Sequence, residues 1–357
     1  MTNRDKKDSI RGRMAYAGES FSVARRKVEA AAAGHLPKPE FLESMRTGRC
    51  YLSDRELSAL PPEIAQLTNL GTLTLDGNQL TALPAEVAQL TNLRQLRLDG
   101  NRLTALPPEI GQLTNLRELG LEGNQLTALP PEIAQLTNLG TLRLRHNQLT
   151  ALPAEMGQLT NLGTLALDGN QLTALPSEIG QLTNLRELTL HHNQLTALPA
   201  EIAQLTKLGR LGLDGNQLTT LPEQIAQLTN LRKLGLGGNQ LTALPPEIGH
   251  LRLLRDLWLD GNRLAVLPRE IAQLASLLDL RLRHDQLTAL PPEIGQLTKL
   301  RRMWLDADQL TALPREVADL LSGGLELSLA GNPFQEPILE LYGQGPHALA
   351  AYLRSLE

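Results

Sequence analysis

The residues of this chain best suited to chemistry are seven histidines, one cysteine and a recurring carboxylate. The histidines are His35, His146, His191, His192, His250, His284 and His347. His146, His192 and His284 share one position of a 23-residue period, so they stand two and four strands apart. Neighbouring parallel strands lie about 4.8 Å apart, which separates His146 from His192 by about 10 Å, too far for one metal ion. The adjacent His191 and His192 point to opposite sides of a strand or into a turn. Cys50 falls where a strand leucine would stand, 23 residues before Leu73, and is expected to be a small buried hydrophobe rather than a nucleophile. A single thiol excludes an intramolecular disulfide and a cysteine-rich zinc site. Asp76, Asp99, Glu122, Asp168, Asp214, Asp260 and Asp306 recur just before a turn. As a column they could bind cations; the plainer reading is a solvated rim, interrupted by Arg145, His191 and Arg283. No Ser-His-Asp triad or paired-carboxylate site is marked. The sequence therefore points to no enzyme, no cofactor and no metal.

What positions these residues is one repeating unit. Asn78, Asn101, Asn124, Asn147, Asn170, Asn193, Asn216, Asn239 and Asn262 follow one another at intervals of 23. Asp285 and Asp308 continue the series and Asn332 closes it after 24. A representative unit starts at Leu93 and reads LRQLRLDGNRLTALPPEIGQLTN. Leu96 and Leu98 alternate with Gln95, Arg97 and Asp99, the period of a strand with one buried face. Leu103, Leu106, Ile110, Leu113 and Leu116 fill the remaining interior, and Pro107-Pro108 ends the strand and can open a short helical turn. No unit buries its leucines alone, so stacked neighbours must supply the core. An amide both donates and accepts, so the Asn column is suited to satisfy main-chain groups at the bend after each strand. Asp285 and Asp308 lack the donor, and the ladder is expected to weaken there.

The pattern LxxLxLxxNxL resembles the leucine-rich repeat over about 285 of the 357 residues. The resemblance implies an α/β solenoid or horseshoe, with a parallel inner sheet and short helical or extended outer segments. The 23-residue period is similar to Ras-group and Roco-type bacterial arrays. The 357 residues hold no GxxxxGK[ST] phosphate loop, so the Roco GTPase activity is not implied.

The reading divides the chain into a basic N-terminal helical hairpin at 1–33, a linker and N-terminal cap at 34–50, about twelve to thirteen repeats over 51–332, and a C-terminal helical cap at 333–357. A short helix is expected over 39–46. In the last segment Ala348, Leu349, Tyr352, Leu353 and Leu356 form a helical stripe. Net charge is −4 with 20% charged residues, which gives no overall bias toward nucleic acid or an anionic membrane. No stretch reaches the roughly 18 apolar residues of a membrane span, and MTNRDKKDSIRGRM has no apolar secretory core. The expectation is a cytoplasmic monomer. Seven lysines against 27 arginines suggest a bacterial source.

Recognition should reside where the repeats differ. Of nine aromatic residues, only Trp258 and Trp304 lie on the open face of the sheet, with Arg281 in the same row between them. Arg255, Arg283 and Arg302 surround them. Tryptophan and arginine are enriched at binding hot spots, and an outward tryptophan has no core role. The leading reading is a non-enzymatic protein-interaction module or scaffold in intracellular signalling or regulation, holding a protein partner on the concave sheet. The alternative is a nucleic-acid-associated regulator acting through the basic hairpin, whose eight basic residues meet no DNA-reading motif.

Overall fold

The structure, a computed structural model, describes residues 47–356. The hairpin at 1–33, the helix at 39–46 and most of the linker lie outside these residues. The chain forms two compact units that meet in sequence between Leu162 and Gly163, inside the repeats. The first contains five three-residue strands: β1 (Arg49–Tyr51), β2 (Thr72–Thr74), β3 (Gln95–Arg97), β4 (Glu118–Gly120) and β5 (Thr141–Arg143). They pair in parallel and in chain order. The second contains β6 (Thr164–Ala166), β7 (Glu187–Thr189), β8 (Arg210–Gly212), β9 (Lys233–Gly235), β10 (Asp256–Trp258), β11 (Asp279–Arg281), β12 (Arg302–Trp304) and β13 (Glu326–Ser328). These too pair in parallel and in order.

Each strand is short because only its central residue faces inward. Leu73, Leu96, Leu119 and their equivalents are fully buried, and Cys50 takes this place in β1, opposite Leu73. The outer layer follows from the proline that precedes it. Pro107, at φ −67° and ψ 144°, is extended and delivers the chain into a five-residue 3-10 turn, Pro108–Gln112. The turn closes with the Leu113 N–H donating to the Ile110 carbonyl and buries Ile110 beneath it. The same turn recurs in each repeat up to Pro292–Gln296.

At the C-terminal end the outer layer changes. Helix α1 (Val317–Ser322) replaces the 3-10 turn, and α2 (Ile338–Gln344) and α3 (Pro346–Ser355) follow. Helix α3 packs on α1 and α2. It buries Leu349, Ala350 and Leu353, while Tyr352 and Leu356 are half-buried. Arg354 ties α3 to α1 through Asp319 at 3.0 Å.

Candidate partner-binding face and its supporting ladders

The open face is held by two ladders that run across the strands. The first is the Asn column. In the second unit Asn239 accepts from the Leu218 N–H through Oδ1 at 3.0 Å. Its Nδ2 donates to the Leu213 carbonyl of the preceding repeat at 3.0 Å and to the Leu236 carbonyl of its own at 2.8 Å. Asn78, Asn101, Asn124 and Asn147 repeat this in the first unit; Asn193, Asn216 and Asn262 do so in the second. Asn170 donates to the Leu167 carbonyl, and Asn332 to those of Leu305 and Leu329. A fully bonded amide of this column satisfies a turn N–H and donates to carbonyls of two successive repeats, so that a carbonyl such as Leu236 accepts from both Asn239 and Asn262.

The second ladder is the acidic column, which the sequence reading takes for a solvated rim. The structure corrects this. Asp76 accepts the Asp99 N–H at 3.0 Å, and Asp99 accepts the Glu122 N–H at 2.8 Å. Asp168, Asp214, Asp260 and Asp306 each accept the N–H one repeat ahead. These carboxylates are partly or largely buried and act as brackets between turns. Burial raises the pKa of Asp76 and Asp99, opposed by these N–H donors.

Asp285 and Asp308 occupy the Asn column as buried carboxyls. Asp285 keeps the acceptor half of the Asn pattern, receiving the Leu264 N–H at 3.1 Å, whereas Asp308 receives the Asp285 N–H, 23 residues earlier, at 2.8 Å. The Oδ2 of each is buried without a partner. Loss of solvation moves both pKa values up to about 7. Neither Arg283 nor Arg301 compensates them. Arg283 binds Asp260 at 3.1 Å, and Arg301 donates to the Gly323 carbonyl at 2.9 Å.

Strand register sets the tryptophan row; it also places exposed Tyr51 of β1 at the same strand position in the first unit, so the two tryptophans are not the only open-face aromatics. Trp258 is opposite Arg281 in β11, and Arg281 is opposite Trp304 in β12. The Arg281 guanidinium lies 4.9 Å from the Trp258 ring centre. The Trp304 ring is covered instead by Arg283, at 5.8 Å, a contact the sequence does not announce. Both indole Nε1 atoms are buried and make no hydrogen bond. Beneath the row Asp279, 1% exposed, is held between Arg281 at 3.2 Å and Arg302 at 3.0 Å. Trp258, Arg281, Arg283, Arg302 and Trp304 are thus gathered around Asp260 and Asp279. Arg255 stands apart, exposed at the residue preceding β10.

The histidines serve other ends. His146, His192 and His284 adopt φ of 53°, 54° and 60° at the turn position that Gly77, Gly100 and Gly123 fill elsewhere. His191 takes an aspartate's place and sets Nδ1 2.7 Å from Asp214. Among the described residues no three His, Cys, Asp or Glu side chains gather to hold a metal ion. No helix among them is long and apolar enough to cross a membrane.

Short parallel strands, proline-led outer turns and an Asn ladder define a leucine-rich solenoid. The family profile "Leucine-rich repeat region" matches residues 49–120, 105–211 and 222–322, and "Leucine rich repeat" matches 183–241. The chain belongs to the leucine-rich repeat family. Comparison with curated proteins gives no match. Among solved structures it is similar to a Leptospira interrogans leucine-rich repeat protein, at 36% identity and TM-score 0.65, over 85% of this chain and 96% of that one. It is also similar to the plant peptide hormone receptor RGFR1 in complex with RGF2, at 28% identity and TM-score 0.68, over 79% of this chain. The Drosophila Toll–Spatzle complex is matched at 27% identity and TM-score 0.69, over 80% of this chain. The matches span 51% and 40% of those two chains. The RGFR1 and Toll structures among these are complexes with a bound protein or peptide partner.

Proposed function

We propose that the chain is a non-enzymatic protein-recognition module that holds its partner on the open, concave face of the second unit. Trp258, Arg281 and Trp304 form the centre of that face, with Arg283 and Arg302 beside them and Arg255 at the margin. The observation that carries the reading is the tryptophan row. Two large rings face outward on alternate strands, under arginines, with indole N–H groups that no protein acceptor satisfies. A buried N–H without an acceptor costs free energy, and an incoming carbonyl or carboxylate would relieve that cost once the arginines shift. Rigid aromatic and arginine anchors on a preformed sheet are suited to protein contact. A scaffold role in signalling or regulation follows by analogy with the fold.

The test compares wild type with a Trp258→Ala/Trp304→Ala protein in affinity capture from lysate of the source organism, read by mass spectrometry. Both proteins should give the same unfolding free energy in urea within about 0.5 kcal/mol, since neither side chain fills the core. A partner captured by wild type and lost by the double variant supports the reading. Identical partners on both would remove the tryptophan row from recognition.

A further inference from the structure

Beside the tryptophan row, the rim where the strands begin carries a second feature. The residue preceding each strand forms a hydrogen-bonded line in the second unit: the Gly209 N–H donates to Arg186, Arg232 to Gly209, and Arg255 to Arg232. Arg186, Arg232 and Arg255 are exposed along this line. Arg252 is exposed on the turn leading to Arg255. Among the described residues none of these four makes an ion pair. The nearby acids are already engaged, Glu187 by Arg210 at 3.4 Å and Asp256 by Lys233 at 3.3 Å. Four uncompensated positive charges therefore stand on three strand steps, a span of about 15 Å.

From this charge pattern we infer that the rim of β7–β10 binds an acidic, extended polypeptide segment. The span matches four to five residues of extended chain at about 3.3 Å each. Leu253, 44% exposed between Arg252 and Arg255, offers an apolar contact in the middle of the charge. That suits a peptide with carboxylates flanking an aliphatic side chain. A nucleic acid would want aromatic platforms for its bases. The tryptophans of this unit lie on the neighbouring row and are already covered by Arg281 and Arg283. Electrostatic complementarity of this kind sets partner choice and association rate, and is screened by salt. Of these four arginines only Arg255 also borders the tryptophan row, and the rim extends beyond that site.

The test uses fluorescence anisotropy on the full chain, with a labelled twelve-residue peptide of glutamates and a leucine at every fourth position. The key variant is Arg186→Ser/Arg232→Ser/Arg252→Ser, which leaves Arg255 and the tryptophan row untouched. Arg94→Ser/Arg117→Ser alters the same column in the first unit and serves as the matched control. The rim variant should bind about ten-fold more weakly, and the control within about two-fold of wild type. Trp258→Ala/Trp304→Ala should keep wild-type affinity for this peptide, even if it loses a partner in the capture experiment. Equal weakening in rim variant and control would show diffuse charge attraction and overturn the inference. So would loss of peptide binding in the tryptophan variant. Tighter, rim-dependent binding of a labelled single-stranded DNA 20-mer would overturn it in favour of nucleic acid. Self-association by light scattering, abolished in the rim variant, would assign the rim to a second copy instead.

Discussion

Two buried carboxyls stand where the ladder calls for an amide, and that single-atom change carries a pH dependence. Asp285 and Asp308 titrate at about 7 in the folded chain, against 3.8 for the ordinary carboxyl. Between those values the folded protein holds protons that the unfolded chain has released. Stability is therefore greatest below about pH 4 as far as these groups are concerned, declines as pH rises, and levels off above about pH 7. Asp285→Asn and Asp308→Asn should each stabilise the protein by about 2 kcal/mol at pH 8 and by much less at pH 5, read from urea midpoints at the two pH values. A second residue-scale prediction concerns His146, an exposed side chain held at φ 53°. His146→Gly should stabilise by about 0.5–1 kcal/mol, because glycine enters this backbone region without strain. The sequence does show His146, His192 and His284 sharing a repeat position. Aligning that column with Gly77, Gly100 and Gly123 would have shown the position to be a left-handed turn.

At the scale of the element, each three-residue strand depends on the amide beneath it. Asn239→Ala would orphan the Leu218 N–H, while the Leu213 and Leu236 carbonyls keep Asn216 and Asn262 as donors, and should cost about 2 kcal/mol in urea denaturation. Asn230 offers the contrast. It makes one exposed bond, to the Thr206 carbonyl at 2.7 Å, and Asn230→Ala should cost no more than about 0.5 kcal/mol. The repeat, the parallel strands and the inward leucines were legible because period two and period 23 coexist in the same residues. The aspartate bracket was not. Asp99 looks solvated within its own repeat, and its acceptor role appears only when the Glu122 N–H of the next repeat is placed beside it. The outer layer was legible as a proline-led turn but not as 3-10. Its exchange for α1 follows from a local sequence, Val317–Ser322, that buries four apolar residues instead of one or two. At the candidate site the row Trp258–Arg281–Trp304 followed from the period. The Arg283–Trp304 stack did not, because it depends on how the Asp260 carboxylate aims the guanidinium.

For the whole molecule, a net charge of −4 conceals a segregated surface. The outer turns carry an acidic residue in nearly every repeat, among them Glu178, Glu201, Glu223 and Glu247 in the second unit. The rim where the strands of the same repeats begin carries the uncompensated arginines. If the rim takes an acidic segment as proposed, this segregation would favour approach from that edge over the back. The chain's only two tryptophans, moreover, both lie in the unit that begins at Gly163. Their emission is a built-in optical probe of that unit alone, whereas far-ultraviolet circular dichroism averages over the backbone of both. In a urea titration, coincident curves would mean that the two units melt as one cooperative body. A fluorescence transition displaced from the dichroic one would time the second unit separately from the first, without a label or an added residue.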